Sequence, residues 1–491
     1  MNLLTNLCSS LFPSLEGPDE ERQPQRAIDD SLRFPLLGLI KGAAGWFFLS
    51  TILGLIASIQ LYSPSFLGNC EWFTYGKLEP MFWNALVYGW LFNAALACAV
   101  FLIARLGNVP IRGGVFLTVS SSAWNVGVLI GLIGIVRGEQ TPYGLLEFPG
   151  YVAPFLFASF VATGIWVMLA FRDRVHRSTY AAHWYICAAF LAFAWSYMGA
   201  QVLIFCAPAQ GVSQVIVAAW FSSNALLLFI VPMALAVIYY MIPKSLGEPV
   251  VGYRYSGITF WAWILFASAA GAASLANGPF PVWLSSLGII STFALFVPVT
   301  TLSIQFLSSL FRRFSAIWDS YSLRYVFVAS IAFTIFSGYK ICAALRSTLE
   351  TTQFSSYADG VNFLGYTLFA GFAFSGAIFF VLPRLLNKKL PGNLVDLHFW
   401  TLLVGSLVVT ASMISGGAQE GELMNQSTAG ASQVVIAMSS HRFLGTLGFG
   451  FILISAIANA VIFTSMIFSR REDDESSNSL FEKAPELEAS A

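Results

Sequence analysis

Charge is what this sequence has least of. Lysine and arginine together number 25 and aspartate and glutamate another 25 in 491 residues, so 10% of the chain is charged and the formal net charge is zero. A soluble surface takes about a quarter of its residues charged, and this shortage excludes a water-soluble globule. The balance of sign removes the bulk basic field that would attract nucleic acid. Histidine is scarcer still, at four. The six cysteines are scattered, with no C-x-x-C pair of the kind that binds zinc or an iron-sulfur cluster. They read as small buried hydrophobes, except that Cys70 and Cys206 fall in loops expected on the oxidising side of a membrane.

What is present is apolar. Hydrophobic residues make up 57% of the chain and the mean hydropathy is +0.72, the composition of an integral membrane protein. Runs long enough to cross the roughly 30 Å hydrocarbon layer centre on 36–62, 81–105, 114–136, 149–171, 180–205, 213–241, 257–276, 283–307, 323–345, 360–383, 396–416 and 443–469. The linkers between them leave no room for a separate soluble domain. The expected organisation is a cytoplasmic segment over 1–35, a twelve-helix membrane domain over 36–469 and an acidic cytoplasmic tail over 470–491. No cleavable leader is expected over Met1–Phe12. Leu3, Leu4, Leu7 and Leu11 lie at helical spacing, which suits either a helix resting on the bilayer or a disordered tail.

Orientation follows from basic residues. Arg33, Arg105, Arg112, Arg172, Lys244, Arg312, Arg384 and Arg470 are among sixteen that fall on one side, against Lys77, Arg137, Arg346 and Arg442 with Lys340 nearby on the other. The positive-inside rule then makes both termini cytoplasmic. Asp359 is the most notable acid at membrane depth, read as capping its helix with a lesser alternative of a site. Lys340 is read as snorkelling to the interface, or as pairing with Asp359.

Residues 219–283 carry a run of pieces in register: Trp220, Asn224 and Ala225, then Tyr239, Tyr240, Pro243 and Lys244, then Tyr253, Arg254 and Ser256, then Phe260, Trp261, Gly271, Pro281 and Trp283. Pro80, Asn84 and Ala85, Leu364 and Gly365, Gly376 to Ile378 with Pro383 and Arg384, and His398-Phe399-Trp400 extend the pattern over about 35–470. In this the chain resembles the catalytic subunit I of the cbb3-type haem-copper cytochrome c oxidases. The resemblance implies an all-α polytopic bundle of about twelve helices in the bacterial inner membrane. It also implies haem b and copper as cofactors, and as partners the lipid bilayer, other membrane subunits of a respiratory complex and cytochrome c-type subunits.

The same resemblance implies ligand positions, and none of them holds a ligand. The helix-two haem position is Phe82, the helix-ten pair is Val361 and Phe363, and the copper positions are Ser223, Ala273 and Ser274. Haem iron and copper need imidazole, thiolate or thioether donors, so no intact cofactor or metal site, no catalytic residue and no bound cofactor are expected. The family's tyrosine beside copper maps to Ala267, and two arginines near the haem propionates map to Lys77 and Glu79. An acid there opposes haem electrostatically. His176, His183, His398 and His441 are too far apart along the topology to form a substitute site, and His398 is expected in structural hydrogen bonding. Ser256 and Thr259 stay polar where the family's proton path begins.

Three readings follow. The chain is a non-catalytic oxidase-like subunit of a respiratory electron-transport assembly, a pseudoenzyme. Alternatively it is a repurposed binder or transporter for a quinone, lipid or small solute, or an active terminal oxidase as the family implies. The first predicts that Phe82, Val361 and Phe363 crowd the old haem layer and leave no connected cavity of porphyrin size.

Overall fold

The computed structural model describes residues 19–175, 178–206, 209–426 and 430–468, with backbone alone for 19–26. Every regular element among these is helical. Among the described residues twelve helices are long and apolar enough to cross a membrane: α1 (Ala27–Tyr62), α2 (Tyr75–Gly107), α3 (Gly114–Arg137), α4 (Ala153–Arg172), α5 (Ala181–Cys206), α6 (Val212–Leu246), α7 (Tyr253–Leu275), α8 (Val282–Phe311), α9 (Tyr321–Ala343), α10 (Tyr357–Leu386), α11 (Gly392–Met424) and α12 (Ser439–Phe468). The chain is an all-α polytopic membrane protein. Short helices at Phe314–Asp319, Arg346–Thr352 and Ala431–Ala437 lie in the connections.

All twelve expected spans are present, several of them longer than hydropathy alone outlines. The helix that contains α1 begins at Asp19, and Ile28 and Leu32 in that extension are buried. Apolar periodicity therefore carries the first helix beyond the expected boundary at residue 35. The leucines near the N-terminus, His176 and the acidic tail fall outside the described residues.

Three helices form the centre. The apolar windows of α2 and α6 are wholly buried and that of α10 nearly so, whereas the other spans bury about half of theirs. A helix that is apolar all round belongs inside a bundle, and one with a polar-free but exposed face belongs against lipid. Trp195, Leu265 and Ile290 are examples of that lipid-facing surface.

Because lipid is as apolar as leucine, packing and polar contacts hold such a bundle together. Gly288 lets α8 lie against the backbone of Ala273 in α7, and Gly417 lets α11 lie against the backbone of Tyr357 in α10; a Cβ at either glycine would overlap those atoms. Asn93 of α2 and Asn125 of α3 exchange two amide hydrogen bonds of 3.0 Å, and the Trp46 indole of α1 donates to Asn125 at 2.6 Å. At the end where α1 begins, Arg105–Asp29, Arg313–Glu248 and Arg324–Asp396 form ion pairs. The site lies at the opposite, far end.

Candidate functional site

The three central helices share a local departure from α geometry. Ala85–Leu91 in α2, Ala225–Ile230 in α6 and Leu364–Gly371 in α10 are π-helical. The wider turn shows in i→i−5 bonds, with the amides of Phe92, Val231 and Phe372 donating to the carbonyls of Val87, Leu226 and Thr367. Such turns strain the ladder, and side chains from neighbouring helices support it. The Trp124 indole of α3 donates to Tyr88 O at 2.9 Å and the Trp263 indole of α7 to Leu227 O at 2.8 Å, while within α2 itself the Asn93 amide donates to Gly89 O at 2.6 Å. Each π segment begins within three residues after Phe82, Ser223 or Phe363. The backbone feature thus stands beside the expected ligand positions on all three helices.

The six positions fall into two places. Phe82 and Phe363 pack with ring centroids 6.4 Å apart. Phe449 of α12 meets Phe82 edge to face at 5.4 Å and Phe363 at 5.8 Å, and Trp83 lies 6.4 Å from Phe363. Gly54 of α1 closes the cluster: a Cβ there would lie 2.6 Å from the Phe449 ring and 2.8 Å from Phe82. This layer is filled by aromatic rings, as the crowding argument expects.

The second place is open. Ser223, Ala273, Ser274 and Val361 line one cavity of about 340 Å³, within the size range of small-molecule sites. The expectation that Val361 helps to crowd the haem layer is therefore corrected. Ser223 of α6, Ala273 and Ser274 of α7 and Val361 of α10 are too small to fill the space between their helices. The walls are mainly apolar, with Trp83, Leu226, Leu227, Trp263 and Phe336 among them, and the ionisable groups are Glu147, Lys340 and Asp359 with Tyr357 and Tyr366. Gly144, Ser274 and Ala358 line the cavity and are exposed, which puts its mouth at the far end. There the Gln353 amide donates to Ser274 O at 3.1 Å.

Glu147 reaches the cavity from the loop between α3 and α4. That loop is pinned to α2 by the Tyr88 hydroxyl, which donates to Leu145 O at 2.6 Å, and by the Gln140 amide, which donates to Gly76 O at 3.0 Å. The Asn84 amide donates to Glu147 Oε2 at 2.8 Å. Burial pushes the Glu147 carboxyl from 4.5 up to about 7, against the hydrogen bond from Asn84. Asp359 sits in the first turn of α10, where the helix dipole favours it, but the N-cap residue is Ser356 and Asp359 makes no capping hydrogen bond among the described residues. Its carboxylate lines the cavity, as does Lys340, and no ion pair joins the two.

The donor set does not fit haem or copper. Phenylalanine, valine and alanine offer no lone pair, serine hydroxyls are poor ligands for these metals, and no group of three His, Cys, Asp or Glu side chains converges among the described residues. The three described histidines serve other ends. His183 Nδ1 accepts from the Tyr180 amide at 3.2 Å at the start of α5. His398 Nδ1 lies 2.7 Å from the Tyr325 hydroxyl, the structural role expected of it, and His441 Nε2 lies 3.1 Å from Gln419 Oε1. Cys70 and Cys206 are both free thiols. Ala267 is fully buried.

Sequence reasoning missed Phe449 and Gly54, which come from helices with no expected ligand, and Glu147. The setting of Glu147 between two leucines and Phe148 was the one signal that this acid is held against apolar surface.

The sequence profile of the family described as Cytochrome C and Quinol oxidase polypeptide I matches residues 37–466. A cytochrome c oxidase subunit 1 homolog from Azorhizobium caulinodans is 25% identical over 80% of this chain and 72% of its own length. A Cbb3-type cytochrome c oxidase subunit from Stutzerimonas stutzeri is 23% identical over 77% of this chain and 81% of its own length. The fold matches a heme-copper terminal oxidase solved as a dimer by cryo-electron microscopy, with a TM-score of 0.70 and 12% identity over 92% of this chain and 85% of that one. With the matched region covering most of the chain and the twelve-helix fold in agreement, this protein belongs to the cytochrome c and quinol oxidase polypeptide I family.

Proposed function

We propose that this chain is a non-catalytic, subunit I-like membrane component of a respiratory electron-transport assembly, one that keeps the oxidase bundle and has lost its redox metals. The observation that carries the reading is the packed cluster of Phe82, Phe363 and Phe449, where rings of α2, α10 and α12 occupy the layer that the resemblance assigns to low-spin haem. Filling that layer avoids the cost of a vacated haem-sized void. The π segments beside three ligand-bearing positions fit a bundle that lost its ligands after its fold was set. On this reading the protein sits in the bacterial inner membrane with both termini cytoplasmic. Its partners are other membrane subunits, cytochrome c-type subunits among them. Affinity purification of the tagged chain from native membranes in mild detergent tests it. Co-purifying membrane subunits and no oxygen consumption with reduced cytochrome c are expected, and a chain that purifies alone or turns over oxygen contradicts it.

A second reading is favoured by one specific observation. The cavity of about 340 Å³ behind Ser223, Ala273, Ser274 and Val361, with charged groups in its wall and a mouth at the far end, has the form of a ligand site. On this reading the space once given to metal chemistry binds a small molecule or a lipid group.

A further inference from the structure

Lys340 and Asp359 set the chemistry of that cavity. Lys340 lies in the last turn of α9 and Asp359 in the first turn of α10, so each helix dipole favours the charge it carries. Both line the cavity, and among the described residues neither has a hydrogen bond or an ion pair. A lysine and an aspartate at membrane depth are costly unless they pair with each other or with something else. Polar groups one turn away share the same wall. Ser337 lines the cavity three residues before Lys340, is 4% exposed, and its buried hydroxyl has no hydrogen-bond partner. Asn362 lines it three residues after Asp359. Glu147, Tyr357 and Tyr366 also line the cavity, and Leu226, Leu227, Trp263, Leu295 and Phe336 form its apolar side.

Lys340 and Asp359 carry opposite charges and do not neutralise each other by contact, whereas Glu147, the third ionisable side chain of the wall besides the tyrosines, is already held by the Asn84 amide. A ligand with net charge would satisfy one and leave the other uncompensated in a low-dielectric site, and a purely apolar ligand would leave both. A ligand that carries an acid and an ammonium a few bonds apart satisfies both. Resting on the second reading above, we propose that this cavity binds a zwitterionic amphiphile. Its carboxylate or phosphate meets Lys340, its primary ammonium meets Asp359, and its apolar body lies against the Trp263 and Phe336 walls. Two sources share that chemistry: a free amino acid with a large apolar side chain, and the headgroup of an ethanolamine phospholipid.

The test uses the full chain purified in non-ionic detergent, with equilibrium dialysis of labelled L-phenylalanine, phenethylamine and 3-phenylpropionate. Lipid retained through delipidation is measured in parallel by mass spectrometry. Saturable phenylalanine binding, tighter by about tenfold or more than either single-charge analogue, supports the proposal with a free amino acid as ligand. Retained ethanolamine phospholipid, with phenylalanine binding only after it is stripped, supports it with the headgroup as ligand. Lys340→Met should erase the preference for phenylalanine over phenethylamine, and Asp359→Asn the preference over 3-phenylpropionate. If either variant fails to fold, the analogue comparison on the wild-type chain decides alone. Equal binding of a single-charge analogue, lost in the cavity-filling Ala273→Phe variant, overturns the zwitterion assignment and leaves the binder reading standing. Absence of binding by every probe, with no retained lipid, overturns both.

Discussion

Phe82 of α2 and Phe363 of α10 hold their ring centroids 6.4 Å apart, with 35° between the ring planes. With metal–nitrogen bonds of about 2 Å, two imidazoles on opposite sides of one ion have centroids roughly 6 Å apart. The two rings thus stand about as far apart as those of a bis-histidine pair. Phe82→His combined with Phe363→His should take up some low-spin haem when haem is supplied. Uptake should be partial, because Phe449 occupies the space between α2 and α12 and the acid at Glu79 opposes propionates. Adding Glu79→Arg should raise it. A folded triple variant without a haem spectrum means that the layer has been remodelled beyond the loss of ligands.

Close approach of α11 to α10 depends on Gly417, where a Cβ would overlap the Tyr357 backbone. Backbone cannot move aside as a side-chain tip can, so Gly417→Ala should destabilise the bundle by about 1–3 kcal/mol. Gly38, with nothing within 4 Å of its would-be Cβ, is the control, and Gly38→Ala should leave the thermal midpoint unchanged or slightly raised. Equal midpoints for the two variants would show that this contact does not hold α11.

Glu147 makes stability depend on pH. Its carboxyl is raised from 4.5 to about 7 by burial, so the folded state holds this proton more tightly than the unfolded state. The stabilisation is fully present below about 4.5 and is lost as pH rises through about 7, with a size of roughly 3 kcal/mol. Glu147→Gln keeps an acceptor for the Asn84 amide and removes the titration. The thermal midpoint of the variant should gain on the wild type between pH 4.5 and 8, and a difference that stays constant over that range would contradict the assignment.

Orientation has its own test. A cytoplasm-active reporter fused after Arg384 or after Arg471 should be active, and one placed between α11 and α12 within 430–438 should be silent. Activity at that loop would reverse the orientation inferred from basic residues.

Much of this fold is written in hydropathy. Length and apolar content were enough for twelve spans, because a span must satisfy its own backbone and little else competes in lipid. The expected ligand positions could be named because the resemblance runs residue by residue through helices two, six, seven and ten. What fills or empties the space between them was not. Phe449 closes on Phe82 from α12, more than three hundred residues away in sequence, and no local pattern links them. The cavity behind Ser223, Ala273, Ser274 and Val361 exists because small residues on α6, α7 and α10 face one another, a coincidence that only packing reveals. The π segments also leave no mark in composition. Asp359 was read as a cap because its place in the first turn is visible in sequence, while the direction of its side chain is not.

The central claim is that the bundle has outlived its redox metals. The most direct measurement is an absorption spectrum of the purified chain, made in cells supplied with haem and copper, together with metal analysis by mass spectrometry. The account predicts no haem b bands and no iron or copper near stoichiometric yield from a folded, monodisperse protein. Haem b bands at one or more per chain would contradict it.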